Sequence, residues 1–409
     1  MTFKKSLLIL VFISMIPLLK GYNSSVSRIF EIILNNLSLN NAQIQLFDML
    51  FALGFAMGSL LGGIGIDLWN PKKLVVYSIL SIVIPSGIIQ FWDITALIIG
   101  HHVILGFSLG LLMVLFQIYL FEMVPTYHKG KFLVLFFLAG SIGGFSFYAL
   151  QPVFSIEGNL SDLKYGLTQL PFAVLPLLVL LIIRHIPHKL YPNHLKDGGL
   201  KRVFLGNKKF IPVILVLLST MAVFGNAGVY FFATSHLVSE NRLEWIWTIT
   251  SLSGTLGSVL GIFLIDSVGR KKLFLFGCKA LIGVSLVNSF VFLFLSNFYV
   301  VFGLVSLYFF LFSLTIGMSI RIIVLEYLPS GYRGRGLIIY SIVSWIPLVL
   351  NRVYINLLDV KSAYTLSISS FVLFGIIITG YLIARKYLID TKGMTLDEIE
   401  SAITIKNQA

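Results

Sequence analysis

The chain has 409 residues, 57% of them hydrophobic and only 11% charged, where a soluble domain carries about 25% charged residues. A water-soluble fold of this size cannot hide that much apolar surface, which excludes a soluble enzyme and a nucleic-acid binder; disorder, collagen and coiled coil fall to the same counts. The formal net charge of +13 points to a membrane, because Lys and Arg fall between apolar runs and mostly in alternate loops.

Apolar runs in chain order lie near 6–33, 45–66, 74–92, 96–121, 132–154, 166–183, 210–236, 245–265, 273–295, 299–324, 337–357 and 363–384. A helix crosses a bilayer with about 20 residues, and none of these runs alternates apolar and polar as a barrel strand does. The expected fold class is an all-α polytopic membrane protein with twelve transmembrane helices. Lys4-Lys5 followed by an apolar run to Leu19 has the look of a secretory leader. No A-x-A cleavage pattern follows, and removal would break the charge alternation, so an uncleaved first span is expected.

Lys72 and Lys73 follow span 2, and Lys129 and Lys131 follow span 4. Arg184, Lys189, Lys196, Lys201, Arg202, Lys208 and Lys209 follow span 6; Arg270, Lys271 and Lys272 follow span 8; Arg333 and Arg335 follow span 10. The opposite gaps hold little beyond Lys164, Arg242 and Lys361. Both termini are therefore expected in the cytoplasm of a multi-pass protein, the plasma membrane being the expected site. The sequons at Asn36 and Asn159 fall in outside loops, and a third at Asn23 falls within span 1. The expected divisions are a six-helix bundle over 1–185, a short cytoplasmic linker over 186–209, a second bundle over 210–386 and a tail over 387–409.

Two motifs occur twice. Gly63-Ile-Gly-Ile-Asp67 ahead of Lys72-Lys73 pairs with Gly261-Ile-Phe-Leu-Ile-Asp266 ahead of Gly269-Arg270-Lys271-Lys272, and the aspartates are 266 − 67 = 199 apart. Glu122-Met-Val-Pro125 ahead of Lys129-Gly130-Lys131 pairs with Glu326-Tyr-Leu-Pro329 ahead of Arg333-Gly334-Arg335, and the glutamates are 326 − 122 = 204 apart. Two motifs at nearly one offset imply a duplicated half of six spans, an arrangement known in transporters with the solute site at the repeat interface. Each motif puts acid and base at cytoplasmic helix ends. Asp67, Glu122, Lys129, Asp266, Arg270, Glu326 and Arg333 are candidates for a gate that clamps that face and lets go as the halves rock. The bases alone could also serve as topology anchors, and for Lys72 and Lys73 both readings stand. In the tail, Thr395-Leu-Asp-Glu398 reads as a capping box, with Leu396, Ile399 and Ile403 at helical spacing.

Lys20, Arg28, Glu31, His101, His102 and Arg321 fall inside predicted spans, where a charged side chain usually faces the bundle interior. Arg28 and Glu31 pair at i,i+3. Lys20 has two readings, snorkelling or a buried partner. Arg321 has two as well, an ion pair or a contact to an anionic substrate. His101 has two readings, a side chain that titrates near neutral pH or, as is more common for a lone membrane histidine, a satisfied hydrogen-bonding group. With a single cysteine, Cys278, no intrachain disulfide can form. No metal-ligand cluster and no nucleophile–base pair occurs, so neither cofactor, metal nor enzyme activity is expected; the expected partners are a small-molecule solute and the lipid bilayer, not nucleic acid.

These residues together resemble the sugar porter family of the major facilitator superfamily. Asp266-Ser-Val-Gly-Arg-Lys resembles its loop 8–9 motif, and Glu326-Tyr-Leu-Pro-Ser-Gly-Tyr-Arg-Gly-Arg its loop 10–11 motif. Gln117-Ile-Tyr-Leu-Phe-Glu122-Met-Val-Pro with Gly106 and Gly110 resembles the span 4 exit, and Thr391-Lys-Gly-Met-Thr-Leu-Asp-Glu-Ile-Glu400 the tail signature. Gly21-Tyr22-Asn23, Asn226-Ala227 with Tyr230, and Trp345 resemble pocket motifs. The resemblance implies two six-helix pseudo-repeats around a central cavity and facilitative, alternating-access transport of a small polar solute such as the hexose glucose. Asn23, Asn226, Tyr230 and Trp345 would then bind it; Asn23 could equally serve helix packing, and Trp345 could face lipid.

The departures fall in the pocket. Thr220 and Met221 stand where the family has paired glutamines, Phe137 where it has a glutamine, Arg321 where it has a tryptophan, and His101 where it has an arginine. The loop from Arg184 to Lys209 is short for the family. Proton-coupled members resemble one another in an aspartate after Gly-Tyr in span 1; Asn23 here cannot ionise, which implies uniport, with His101 the remaining candidate for symport. A carrier of organic anions read by Arg321 and Lys20, and a non-transporting solute sensor, are the rival readings.

Overall fold

A computed structural model describes residues 3–26, 41–92, 94–124, 129–154, 164–182, 210–233, 240–294, 297–328, 334, 336–341, 343 and 363–408. The helices are α1 Phe3–Val26, α2 Asn41–Leu68, α3 Pro71–Ile88, α4 Thr95–Met123, α5 Lys129–Phe154, α6 Tyr165–Thr168, α7 Leu170–Ile182, α8 Phe210–Ala233, α9 Glu240–Val268, α10 Arg270–Phe294, α11 Phe298–Leu314, α12 Ile316–Tyr327, α13 Ala363–Tyr387 and α14 Leu396–Gln408. Every predicted span is helical where it is described, short turns and span ends aside; most of 337–357, the loop 184–209, the sequons at Asn36 and Asn159, and Arg28 with Glu31 lie outside the described residues. No strand occurs among the described residues. Six helical stretches among them are long and apolar enough to cross a membrane.

Local chemistry sets the helix boundaries. Asn70 caps α3 by accepting from Lys72 N at 3.0 Å, and Pro71 takes the first helical position, where a missing N–H costs nothing. Asn297 caps α11 through Tyr299 N and Val300 N. Span 10 is two helices. Thr315, at φ −124° and ψ −78°, separates α11 from α12, and its hydroxyl donates back to Leu311 O at 2.6 Å, a bond that bends helices.

The chain divides into two compact units. The first is built on Met1–Val124 and Leu135–Asp197, the second on Gly198–Tyr332 and Ile339–Ala409. Each also takes in a short segment from the other half of the sequence: Arg333–Ile338 belongs with the first and Pro125–Val134 with the second. Those two segments carry the two basic–Gly–basic triplets.

Inside the first unit, α2 and α4 meet along glycines. A Cβ on Gly54, Gly58 or Gly62 would strike the α4 backbone at Val103 O, Phe107 O or Leu111 O, and one on Gly106 or Gly110 would strike α2 at Phe51 O or Phe55 O. Inside the second unit, a Cβ on Gly257 would strike Phe310 O, and one on Gly261 would meet the Met318 side chain, with Leu314 O 3.2 Å away. The offsets, 257 − 54 = 203 and 261 − 58 = 203, fall between the 199 and 204 of the loop motifs. Such close backbone approach is how helices associate where hydrophobicity gives no drive between them. Large apolar side chains left exposed on the spans, Tyr77, Phe91, Phe263, Phe294 and Tyr299 among them, are the surface that lipid covers.

The tail forms the expected capping box. Thr395 N donates to Glu398 Oε2 at 2.7 Å, and Glu398 N donates to Thr395 Oγ1 at 3.3 Å. Ile399 and Ile403 are buried, as the helical spacing predicts. The hydrogen bonds from Thr395 hold the Glu398 carboxyl below its ordinary range. A lowered carboxyl stabilises the folded form above the ordinary glutamate range, and that contribution is lost as pH falls through the lowered value. A nitroxide on Ser401, an exposed position, will therefore gain mobility on acidification. With Thr395→Ala it will be mobile already at neutral pH and respond less; equal mobility at neutral pH in both proteins would discard the box as the helix start.

Candidate functional site

The sharpest cluster of charge lies where α9 passes into α10. Gly269 makes the turn at φ 99°, the left-handed region that other residues enter at a cost. The turn brings Asp266, in the last turn of α9, against Arg270, the first residue of α10: Arg270 Nη1 stands 3.1 Å from Asp266 Oδ1. From the last turn of α12, Glu326 brings Oε1 to 3.4 Å from Arg270 Nε. The Arg270 and Glu326 side chains are each 6% exposed and Asp266 19%. One buried guanidinium is thus shared by two carboxylates.

Two further segments close round it. A Cβ on Gly130 would strike Asp266 Oδ1 and Arg270 Nη2. Only glycine lets the first turn of α5 lie this close, and it places the Asp266 carboxylate near the positive end of that helix. The repeat partner behaves alike inside the first unit: a Cβ on Gly334 would lie 2.8 Å from Gly63 O. On the other side, the chain after α13 folds back on the cluster. Thr391 Oγ1 donates to Glu326 Oε2 and Ile389 N donates to Tyr327 Oη. Lys271 Nζ donates to Leu388 O and Lys392 Nζ to Ser267 O, each at 2.6 Å. Both oxygens of Glu326 are engaged, one by Arg270 and one by Thr391.

Of the seven gate candidates, Asp266, Arg270 and Glu326 come together. The side chains of Asp67, Glu122 and Lys129, and all of Arg333, lie outside the described residues. Thr391, Tyr327, Lys271 and Lys392 join the cluster without having been singled out for it. Thr391 opened the tail segment that drew attention as a signature, but sequence spacing carried no sign of a bond spanning 65 positions.

The pocket candidates stand apart from it. Asn23 is fully buried on α1. Its neighbour Tyr22 sets its ring edge-on against Phe147 at 5.2 Å and Phe172 at 5.8 Å, and Ser25 Oγ donates to Gly144 O at 2.9 Å, so the Gly21-Tyr22-Asn23 motif lies where α1 packs on α5 and α7. Asn226 and Tyr230 lie on α8, their side chains outside the description along with all of Trp345. Arg321 is half-buried on α12 and Lys20 half-buried on α1.

His101 sits at a three-helix junction in the first unit. Its Nε2 shares a hydrogen bond with Ser86 Oγ at 2.9 Å and its Nδ1 one with Tyr165 Oη at 3.0 Å; the phenol also lies 3.5 Å from His102 Nδ1. A neutral imidazole donates through one nitrogen and accepts through the other, so hydroxyl partners satisfy it without a proton gained. In the second unit, Ser367 Oγ on α13 donates to Ser289 O on α10 at 2.8 Å, another buried polar contact between apolar helices.

Residues 10–351 match the Major Facilitator Superfamily. Among known proteins, the chain is 24% identical over 285 residues to a proton myo-inositol cotransporter of Caenorhabditis elegans, a match that takes in 57% of this chain and only 46% of that relative. It is 22% identical over 426 residues to the glucose transporter GlcP of Staphylococcus epidermidis, covering 94% of each. It is 25% identical to the probable metabolite transport protein CsbC of Bacillus subtilis, covering 94% of this chain and 92% of that one. Among solved structures, the proton:xylose symporter XylE bound to 6-bromo-6-deoxy-D-glucose superposes with a TM-score of 0.77 at 18% identity, over 97% of this chain and 98% of that one.

Proposed function

From the premise that the chain belongs to the Major Facilitator Superfamily, we propose that it is a facilitative carrier of a small neutral sugar, a hexose such as glucose, working by alternating access. The observation that carries this reading is the full-length likeness to a glucose transporter, 94% of each chain, joined to a buried Asp266–Arg270–Glu326 cluster of the kind a gate needs. A shared cation between two carboxylates is a two-state device: the three charges compensate one another when they meet, and the departure of one leaves a costly uncompensated charge. In this reading the cluster lies on the cytoplasmic face of the plasma membrane with both termini, as the Lys and Arg asymmetry argues. Asp67, Glu122, Lys129 and Arg333 would form the counterpart, with Asn226, Tyr230 and Trp345 in the sugar pocket. The full burial of Asn23 favours a packing role for it.

Coupling is read as absent. Asn23 carries no ionisable group, and the partners of both His101 ring nitrogens are hydroxyls, which supports a brace over a proton carrier. The second reading, proton-coupled symport, draws on the relatives whose names say cotransporter or symporter. Uptake of labelled glucose into proteoliposomes separates the two, with small organic anions run alongside to test Arg321 and Lys20 as an anion site. Uniport predicts that the internal concentration levels at the external one, with or without an imposed pH gradient and membrane potential, and that His101→Gln leaves that plateau unchanged. Accumulation above the external concentration that a protonophore abolishes would reject uniport, and its loss in His101→Gln would give the coupling to the histidine.

A further inference from the structure

A cavity of about 740 Å³ lies along the second unit between α8 and α13, within the roughly 300–1,000 Å³ of single-ligand sites. Its walls are apolar: Val213, Val216, Val372, Ile376 and Ile383 contribute, and Val213, Val216 and Val372 are about half exposed. Among its described wall residues the two hydroxyls are spent on their own helices, Thr220 Oγ1, at a position where the resemblance expects a pocket glutamine, donating to Val216 O at 2.8 Å and Thr379 Oγ1 to Gly375 O at 2.9 Å. A polar solute would find no unspent hydroxyl among these residues; an alkyl chain needs none.

Charge marks one end of this groove. Val372, Ile376, Thr379, Ile383 and Lys386 recur at i,i+4,i+7,i+11,i+14, one face of α13. Lys386 therefore continues the groove's own stripe, with Arg385 beside it in the last turn of the helix. Both are exposed, and neither makes an ion pair among the described residues. In the sequence Lys208 and Lys209 directly precede α8. From Val372 to Lys386 is 14 residues, about 21 Å of helix, longer than the about 15 Å that one acyl chain spans in half a hydrocarbon core.

We propose that this groove seats one acyl chain of an anionic phospholipid, with its phosphate held by Lys386 and Arg385. The full-length protein, reconstituted in bilayers of phosphatidylcholine and phosphatidylglycerol in equal parts and then released into mild detergent, is examined by native mass spectrometry. Phosphatidylglycerol should be retained in preference to phosphatidylcholine. Arg385→Gln and Lys386→Gln should each lower that retention about fivefold, the worth of one basic residue at a membrane surface. Gly375→Leu tests the groove itself: a Cβ there meets nothing within 4 Å, so the new side chain fills the space without straining the fold and should lower retention while the charges stay. Val216→Trp does the same from the opposite wall, and thermal unfolding checks that both variants are folded. Equal retention of the two lipids, full retention of phosphatidylglycerol in both folded groove-filling variants, or a dimer mass without lipid in place of the adduct would overturn the proposal.

Discussion

Arg270→Gln will lower the unfolding temperature of the carrier and cut sugar uptake by about an order of magnitude or more. The reason is the asymmetry of buried charge. Asp266 and Glu326 both lean on one guanidinium, at 3.1 and 3.4 Å, and the Glu326 side chain is 6% exposed. Removing one partner of a buried pair costs about 3–5 kcal/mol, mostly because the other charge is left without compensation. Glu326→Gln should be milder, because Arg270 keeps Asp266 and Thr391 can still donate to the amide oxygen. The double variant Arg270→Gln with Glu326→Gln should then be more stable than Arg270→Gln alone, with a coupling of about 0.5–3 kcal/mol between the two sites. A gate adds a functional sign to this: in variants that remain folded, a cysteine placed near the cluster should react faster with an impermeant reagent from the face that carries it. Wild-type uptake and unchanged labelling in Arg270→Gln would reduce the cluster to a topology anchor, and strict additivity in the double variant would deny that the groups act together.

The helices were legible in the sequence because lipid allows few alternatives: a backbone in hydrocarbon must satisfy its own hydrogen bonds, so a long apolar run is a helix. The repeat was legible because two motifs recur at nearly one offset, 199 and 204 residues, and the glycine pairs at 203 residues fall in the same range. Asp266 and Arg270 could be paired from the sequence, since four residues and a glycine turn bring them together. Glu326 could be nominated but not joined to them, because it arrives on another helix. Thr391, Tyr327 and the two lysines that bond backbone carbonyls were beyond reach for the same reason, with nothing in local spacing to couple a tail to a loop 120 residues earlier or so. For His101 the sequence leaves two readings, a satisfied hydrogen-bonding group or a proton carrier, and the hydroxyls of Ser86 and Tyr165, brought in by other helices, support the first.

The second large effect is expected at the seam between α2 and α4, where alanine substitutions will rank in a set order. Gly58→Ala and Gly110→Ala should be the most damaging, since a Cβ at either would collide with a carbonyl oxygen of the facing helix, Phe107 O and Phe55 O respectively. Gly54→Ala and Gly106→Ala should follow, with the new carbon 2.5 Å from Val103 O and from Phe51 O. Gly62→Ala, at 2.9 Å from Leu111 O, should be the mildest of the five. The obstacle in each case is backbone, so a side chain cannot swing aside; the helices must part. Overpacking a well-filled core costs about 1–3 kcal/mol, and parting also loses the Ser59 Oγ hydrogen bond to Gly110 O at 3.4 Å and the weak Cα–H···O contacts that close helices make. The seam lies on α4, the most enclosed of the six membrane-length stretches, so loss there spreads through the first unit. Gly100→Ala is the control: it lies on the same helix, a Cβ there meets nothing within 4 Å, and alanine improves a helix interior by about 1 kcal/mol over glycine. Unfolding temperatures in detergent, read for all six variants, test the order. If Gly58→Ala unfolds no earlier than Gly100→Ala, the two helices are not in backbone contact and the close seam is wrong; if Gly62→Ala proves the worst, it is the register of α2 against α4 that must be redrawn.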